Sequence, residues 1–184
     1  MKILIMGASS AGSTTLGKAL SARTGYPYFD SDDYFWLRSA VPYTLRRDRE
    51  ERVQMLIDDV KATPCHIVGG SLVGWGDQWT DHFDLVVFLH LPPEVRMQRL
   101  KDREYERYGD LIYTDPERIR LYNEFVAWAE SYDTVAHTGR SIKVHEEWLS
   151  RVTCPVLRIN GDTTVQERVD RVLEKISDMG TLYA

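Results

Sequence analysis

Several features are scarce in this sequence, and each scarcity excludes something. Only two cysteines occur among 184 residues, Cys65 and Cys154. Each opens a predicted strand beside a proline, and both read as small buried hydrophobes rather than redox or metal groups. The histidines His66, His82, His90, His137 and His145 lack metal-ligand spacing and read as structural. No apolar run approaches the ~18 residues of a membrane span. Met1–Met6 is too short for the core of an export signal. A cytoplasmic protein without a membrane partner is therefore expected. Positive charge is not in surplus: 23 Lys and Arg stand against 28 Asp and Glu, a net charge of −5. General nucleic-acid binding needs a cationic field, so no nucleic-acid partner is expected. A local phosphate site remains open, because local charge decides it.

What is present is an alternation of strand and helix patterns, which predicts an α/β fold with a parallel sheet covered on both faces. Strands are predicted at Lys2–Met6, Tyr26–Phe29, Cys65–Val68, Leu85–Leu91 and Pro155–Ile159. Helices are predicted from Ser13 to Thr24, with Gly25 as a C-terminal cap, and over residues 44–62, where Val53, Leu56, Ile57 and Val60 have buried-face spacing. Asp48 and Glu51 form a candidate capping pair near the start of the second. Pro92-Pro93 opens a helix reaching about Arg107, and further helices follow at about 115–132 and 141–150. The last carries Val165, Val169, Val172 and Ile176 on one stripe behind a Thr164/Glu167 capping box. No repeat or linker divides the chain. A single domain of residues 1–184 is expected, with about 104–152 as an inserted helical lid.

The chemistry concentrates between the first strand and the first helix. Gly7-Ala-Ser-Ser-Ala-Gly12-Ser-Thr-Thr15 has the spacing of Gly-x4-Gly-Lys-Ser/Thr, in the strand–loop–helix context that makes such a motif specific. Backbone N–H groups and a helix N-terminus suit a polyanion, and glycines permit the close turns. Thr14 or Thr15 supplies the hydroxyl that holds Mg²⁺ in such loops. The lysine is absent: Ser13 stands in its place. Losing that cation in a closed site costs about 3–4 kcal/mol of transition-state stabilisation if it counts like an oxyanion donor. Lys18, more than a helical turn on, cannot replace it.

The second strand ends in Asp30-Ser-Asp32-Asp33. Carboxylates there either hold metal and orient an acceptor hydroxyl, or form a solvated turn or helix cap. The third strand ends in Gly69-Gly70-Ser71, with Gly74-Trp75-Gly76 beyond. That pattern suits backbone approaching a ligand with Trp75 as a stacking wall, or a loop with Trp75 in the core. Arg96, Arg99, Arg103 and Arg107 form one helical stripe. It is either a solvated face or a source of cations for a transferring phosphate. Arg46 and Arg49 extend the second helix's buried stripe backward and point to the cleft if that helix starts at 44. Arg47 and Arg52 read as surface residues paired with Glu50 and Glu51.

Together, Gly7–Thr15, Phe29–Asp32, Val68–Ser71, Asp84–Leu89, Arg99–Arg103 and Pro155–Asp162 resemble the adenylate-kinase-like group of small phosphate-loop kinases, which includes bacterial topology-modulation proteins. Shikimate and gluconate kinases share the Asp-x-Asp and the Gly/Ser-rich third strand end. The resemblance implies a three-layer α/β/α P-loop NTPase fold with a five-stranded parallel sheet in the order 2-3-1-4-5. That order sets Cys65 and Cys154 about 14 Å apart, beyond the ~7 Å limit of a disulfide. It implies ATP in the loop residues Gly7, Ala8, Ser9, Ser10, Ala11, Gly12, Ser13, Thr14 and Thr15, with Mg²⁺ near Thr14 and Asp30. Adenine would lie between the Arg99/Arg103 region and the Asn160–Asp162 loop. A small-molecule phosphate acceptor, for example a nucleoside monophosphate, would sit beside Asp32, with Asp33, Arg49, Gly70, Ser71 and Trp75 around it. Asp32, Arg103 and Arg107 would serve transfer, in a monomer or homodimer. Three departures stand out: Ser13 for lysine, no Asp ending the third strand, and a 104–152 segment matching no lid of the group.

Three functions follow. One is an ATP-dependent small-molecule kinase. Another is a nucleotide-binding sensor or regulator that has lost transfer with its lysine. The last is an interaction module using the aromatics of 104–152.

Overall fold

The computed structural model describes residues 1–134 and 140–182; His137 lies outside them. Five parallel strands form the sheet: β1 (Lys2–Gly7), β2 (Tyr28–Asp30), β3 (His66–Gly69), β4 (Leu85–His90) and β5 (Val156–Asn160). Their order is β2-β3-β1-β4-β5, as expected. Ile3 lies against Ile67 on one side and Leu85 on the other, so β1 is central.

Alternation along these strands builds two cores. Ile3, Ile5, Val87 and Leu89 face one way. They pack on Leu16 and Leu20 of α1 (Ser13–Thr24) and on Val169 and Val172 of α8 (Val165–Leu182). Leu4, Met6, Val86 and Phe88 face the other way. They meet Leu56 and Val60 of α3 (Arg49–Lys61) and Trp148 and Leu149 of α7 (Ile142–Leu149). Helices on both faces make the three layers. The β1 backbone is thereby held from both sides, which fixes where its C-terminal loop emerges.

Helix ends follow local capping chemistry. Gly25 closes α1 at φ 74°, its N–H donating to the Ser21 carbonyl. Thr164 and Glu167 exchange capping bonds of 2.7 and 3.2 Å. The second predicted helix needs correction: α3 starts at Arg49, not 44. The Asp48 carboxylate accepts from the N–H groups of Glu50 and Glu51, at 2.8 and 3.2 Å, and sets the start there. Residues 36–47 instead fold back, with Leu37 N–H on the Leu45 carbonyl and Arg47 N–H on that of Phe35. A short helix not expected from the sequence, α2 (Ser31–Phe35), is capped by Asp30.

The helical segment after β4 comprises α4 (Pro93–Tyr108), α5 (Leu111–Thr114) and α6 (Pro116–Glu130), with α7 beyond. Met97 and Leu100 of α4 pack on Ala129, Phe125 and Val126 of α6. Among the described residues no helix is long and apolar enough to cross a membrane. Cys65 and Cys154 are free and half-buried rather than fully buried. The Cys65 sulfur accepts from the Met1 amino group at 2.8 Å.

The buried histidines give stability a pH dependence. The His66 and His82 Nε2 atoms are 3.0 Å apart, an arrangement with room for one shared proton. Burial holds His66 below its usual range, pushes His82 down to about 4, and pushes His145 down to about 3. These side chains stay neutral in the native state, while the unfolded chain takes up protons below about pH 6.5. Stability is full above that value and is lost as pH falls from about 6.5 toward 4. Thermal melts are expected to show Tm falling between about pH 7 and pH 5. A flat or rising Tm over that interval would contradict this account.

Candidate functional site

The loop after β1 has the geometry of an anion cradle. Ser10 and Gly12 take positive φ angles of 64° and 99°, which turn successive backbone groups toward one side. No side chain caps the N-terminus of α1, so its first-turn N–H groups face outward unspent. A cavity of about 620 Å³ opens there. The residue types fit a polyphosphate: small side chains, free amides and surrounding cations.

Glycines elsewhere make room for β2 side chains. A Cβ on Gly17 or Gly69 would collide with the Tyr28 ring, and one on Gly70 with the Ser31 hydroxyl. The glycine-rich end of β3 thus accommodates Tyr28 and Ser31. The Tyr28 hydroxyl donates to Asp30 Oδ2 at 3.0 Å, and the Thr14 hydroxyl donates to the same oxygen at 2.8 Å. Loop hydroxyl and strand carboxylate are therefore adjacent, a donor pair suited to hydrated Mg²⁺. Among the described residues no group of three or more His, Cys, Asp or Glu could hold a metal, so water and phosphate oxygens would complete its shell.

The cavity brings together Gly7, Ala8, Ser9, Ser10, Gly12, Ser13, Thr14 and Thr15 with Asp30, Asp32, Gly70, Ser71, Arg99, Arg103 and Arg107. All of these are expected at the site from the sequence. Desolvation at the cavity wall raises the Asp32 carboxyl above the ordinary carboxylate range, although the residue as a whole is exposed at the cavity mouth. Asp30 and Asp33 add to this, against opposition from Arg140 and Arg103. Burial and the neighbouring Arg107 lower Arg103, although Glu104 partly offsets both. Arg103 and Arg107 share the Glu104 Oε1 at 3.3 and 3.5 Å, and Arg99 pairs with Asp162.

Other expected residues lie elsewhere. Trp75 is 2 % exposed and sits in the core beside Phe35, so it forms no stacking wall. Its apolar area is better satisfied against the sheet. Arg96 leaves the stripe: it is buried, bonding Asp133 and the Ala129 carbonyl at 2.8 and 3.0 Å. Arg49 donates to the Gly74 carbonyl at 2.9 Å, outside the cavity lining. Arg46 lies on the fold-back, not on α3. Arg52 is no surface residue; its guanidinium stacks 4.4 Å from the Phe35 ring centre. Arg47 does pair with Glu51. Asp33 and Asn160 are exposed and do not line the cavity. Ala11 is buried, its N–H spent on the Ala8 carbonyl.

Sequence reasoning missed Arg140, Arg168 and Thr163–Val165, which also line the cavity. It missed a buried chain too: Ser71 Oγ lies 3.0 Å from His145 Nε2, and the Tyr132 hydroxyl 2.7 Å from Nδ1. This chain ties the end of β3 to the helical segment.

Sheet order, loop and flanking helices define a nucleotide-binding P-loop fold of the small-molecule kinase type. A shikimate kinase structure from Bacteroides thetaiotaomicron superposes with a TM-score of 0.59 at 20% identity, covering 96% of this chain and 98% of that one. The chain belongs to the family described as "AAA domain", whose model matches residues 3–120. It is 41% identical over 175 residues to the uncharacterized protein YqaC of Bacillus subtilis (strain 168), covering 95% of this chain and 97% of that one. It is 31% identical over 129 residues to a shikimate kinase of Thermosynechococcus vestitus, covering 60% of this chain and 70% of that one.

The Tyr28 clamp is testable. Gly17→Ala would force the ring away from Asp30, and overpacking of this kind costs about 1–3 kcal/mol. Denaturant unfolding is expected to register that loss; an unchanged midpoint would show that the ring can move freely.

Proposed function

We propose that the protein is an ATP-dependent kinase of a small-molecule acceptor, such as a nucleoside monophosphate. The observation that carries this reading is the meeting, in one cavity, of an uncapped phosphate loop, the Asp30 and Asp32 carboxylates and a set of arginines. When bound, ATP with Mg²⁺ supplies the phosphoryl group and the charge that polarises it. Loop amides between Gly7 and Thr15 other than that of Ala11 would hold the phosphates, and Thr14 with Asp30 would hold the metal. Asp32 orients the acceptor and, where the acceptor is an alcohol rather than a phosphate, accepts its hydroxyl proton. Raised basicity suits it to that role, since proton acceptance improves as its pKa approaches the working pH. Arg103 and Arg107 carry charge toward the transferred group, with Glu104 holding both in place. Gly70 and Ser71 form the acceptor side, and Arg140 gives that side a cation for an anionic acceptor. The setting we propose is cytoplasmic, as a monomer or homodimer.

Ser13 favours a second reading, a nucleotide sensor without transfer. A coupled assay over nucleoside monophosphates, shikimate-like acids and sugar acids separates the two. Turnover with any of them supports the kinase. ATP-Mg²⁺ binding without turnover supports the sensor.

Under the kinase reading, Asp32→Asn lowers turnover by about 10²–10⁴-fold, while ATP affinity stays within about twofold. The wild-type rate falls with acid at a pH above the ordinary carboxylate value of about 4, as Asp32 takes up its proton. A rate profile flat down to that value would remove Asp32 as the base. Arg103→Ala slows transfer far more than it weakens ATP binding; equal small effects on both would remove its assigned role.

A further inference from the structure

Ser13 leaves the phosphate loop without the charge its position ordinarily carries, and Lys18 is exposed on the helix beyond. Three cavity arginines have carboxylate partners: Arg99 pairs with Asp162, and Arg103 and Arg107, placed for the transferred group, share Glu104. Arg168, on α8, differs from them. It is only 3 % exposed and has no carboxylate within ion-pair distance among the described residues. Its Nη1 donates to the Ala11 carbonyl at 2.9 Å, and its Nε to the Thr163 hydroxyl at 2.9 Å. Its Nη2 is buried and has no hydrogen-bond partner among the described residues. The guanidinium lies against the peptide that opens α1: a Cβ on Gly12 would sit 2.9 Å from Nη1. Arg168 also lines the cavity.

A buried guanidinium without a counter-charge is costly, and one free N–H group adds to the cost. Such a group persists where an anion completes it. We propose that Arg168 is the resident cation of the phosphate loop, reaching from α8 to supply the charge that Ser13 lacks. Nη2 is closed off from solvent as it stands, so nucleotide binding draws the guanidinium toward the cavity that Arg168 lines, where this N–H group takes an oxygen of a bound nucleoside polyphosphate. This rests on the nucleotide-binding reading above. The planar fork of the guanidinium fits both contacts at once, because one edge braces the loop through Ala11 while the other is left for phosphate.

The test is calorimetric titration of the full chain with ADP and with adenosine, in wild type, Arg168→Met, Arg168→Lys and the Ser13→Lys/Arg168→Met double variant. Arg168→Met is expected to weaken ADP by about tenfold or more while adenosine changes by less than about twofold. Arg168→Lys retains most ADP affinity, and adding Ser13→Lys to Arg168→Met restores it. ADP affinity unchanged in a folded Arg168→Met would overturn the proposal and leave Arg168 as a structural brace. Should Arg168→Met fail to fold, the arginine side-chain nitrogen spectrum of wild type decides, with the Arg168 resonance assigned through Arg168→Lys. A shift with ADP but not with adenosine supports the proposal, and identical responses overturn it. A wild-type protein that binds adenosine and not ADP, or neither, sinks the underlying phosphate reading instead.

Discussion

Like charges gathered at one opening are the constraint that this structure is organised around. Five guanidinium groups line a cavity that holds only two carboxylates. Left alone they would repel one another and miss their hydration. The chain holds three of them with carboxylates set outside the cavity. Asp162 holds Arg99, and Glu104 holds Arg103 and Arg107. Arg168 is steadied by a carbonyl and a hydroxyl that leave its charge intact. Asp162 balances Arg99, one Glu104 carboxylate is shared by two arginines, and Arg168 has no carboxylate in contact among the described residues, so net positive charge remains where a polyanion would use it. The same field presses on Asp32, where desolvation and neighbouring carboxylates outweigh the arginines and raise its proton affinity.

Holding such a cluster requires a stiff frame, and the sheet provides it. Strand β1 is packed on both faces, so the loop leaving it has little freedom. Tyr28, fitted over Gly17 and Gly69, joins β2, α1 and β3 and delivers its hydroxyl to Asp30. Thr14 reaches the same carboxylate from α1. The Ser71–His145–Tyr132 chain connects the frame to the helical segment that carries Arg99, Arg103 and Arg107. Placement of the reactive groups thus descends from apolar packing, through two glycines and one tyrosine, to the cavity wall.

Much of this is legible before folding. The strand–loop–helix motif, the Gly25 cap and the Thr164/Glu167 box rest on neighbours in sequence, and each stands where expected. The misreadings have two causes, one local and one tertiary. Apolar spacing runs the second helix back to 44, although Asp48, a local cap, already marks its start. The stripe Arg96–Arg107 lies on one face, yet Arg96 sits beneath the Ala129–Asp133 segment and is claimed by it. Trp75 has a glycine on each side and looks available, but the second core needs its area. Arg168 has a local signal: it stands one turn before the buried Val172 on the inward side of α8, whereas Val165 is exposed, and a cation there requires a reason.

The sequence alone determined the sheet's strands, the anion-binding turn, the helix caps and the missing lysine, because each depends on residues within a few positions of one another. Tertiary structure decided which arginines face the cavity, which are spent elsewhere, and how strongly Asp32 holds a proton. Those properties arise from burial and from charges brought together across more than a hundred residues, as between Ala11 and Arg168. No local pattern encodes a distance of that kind; only the packed sheet and its helices do.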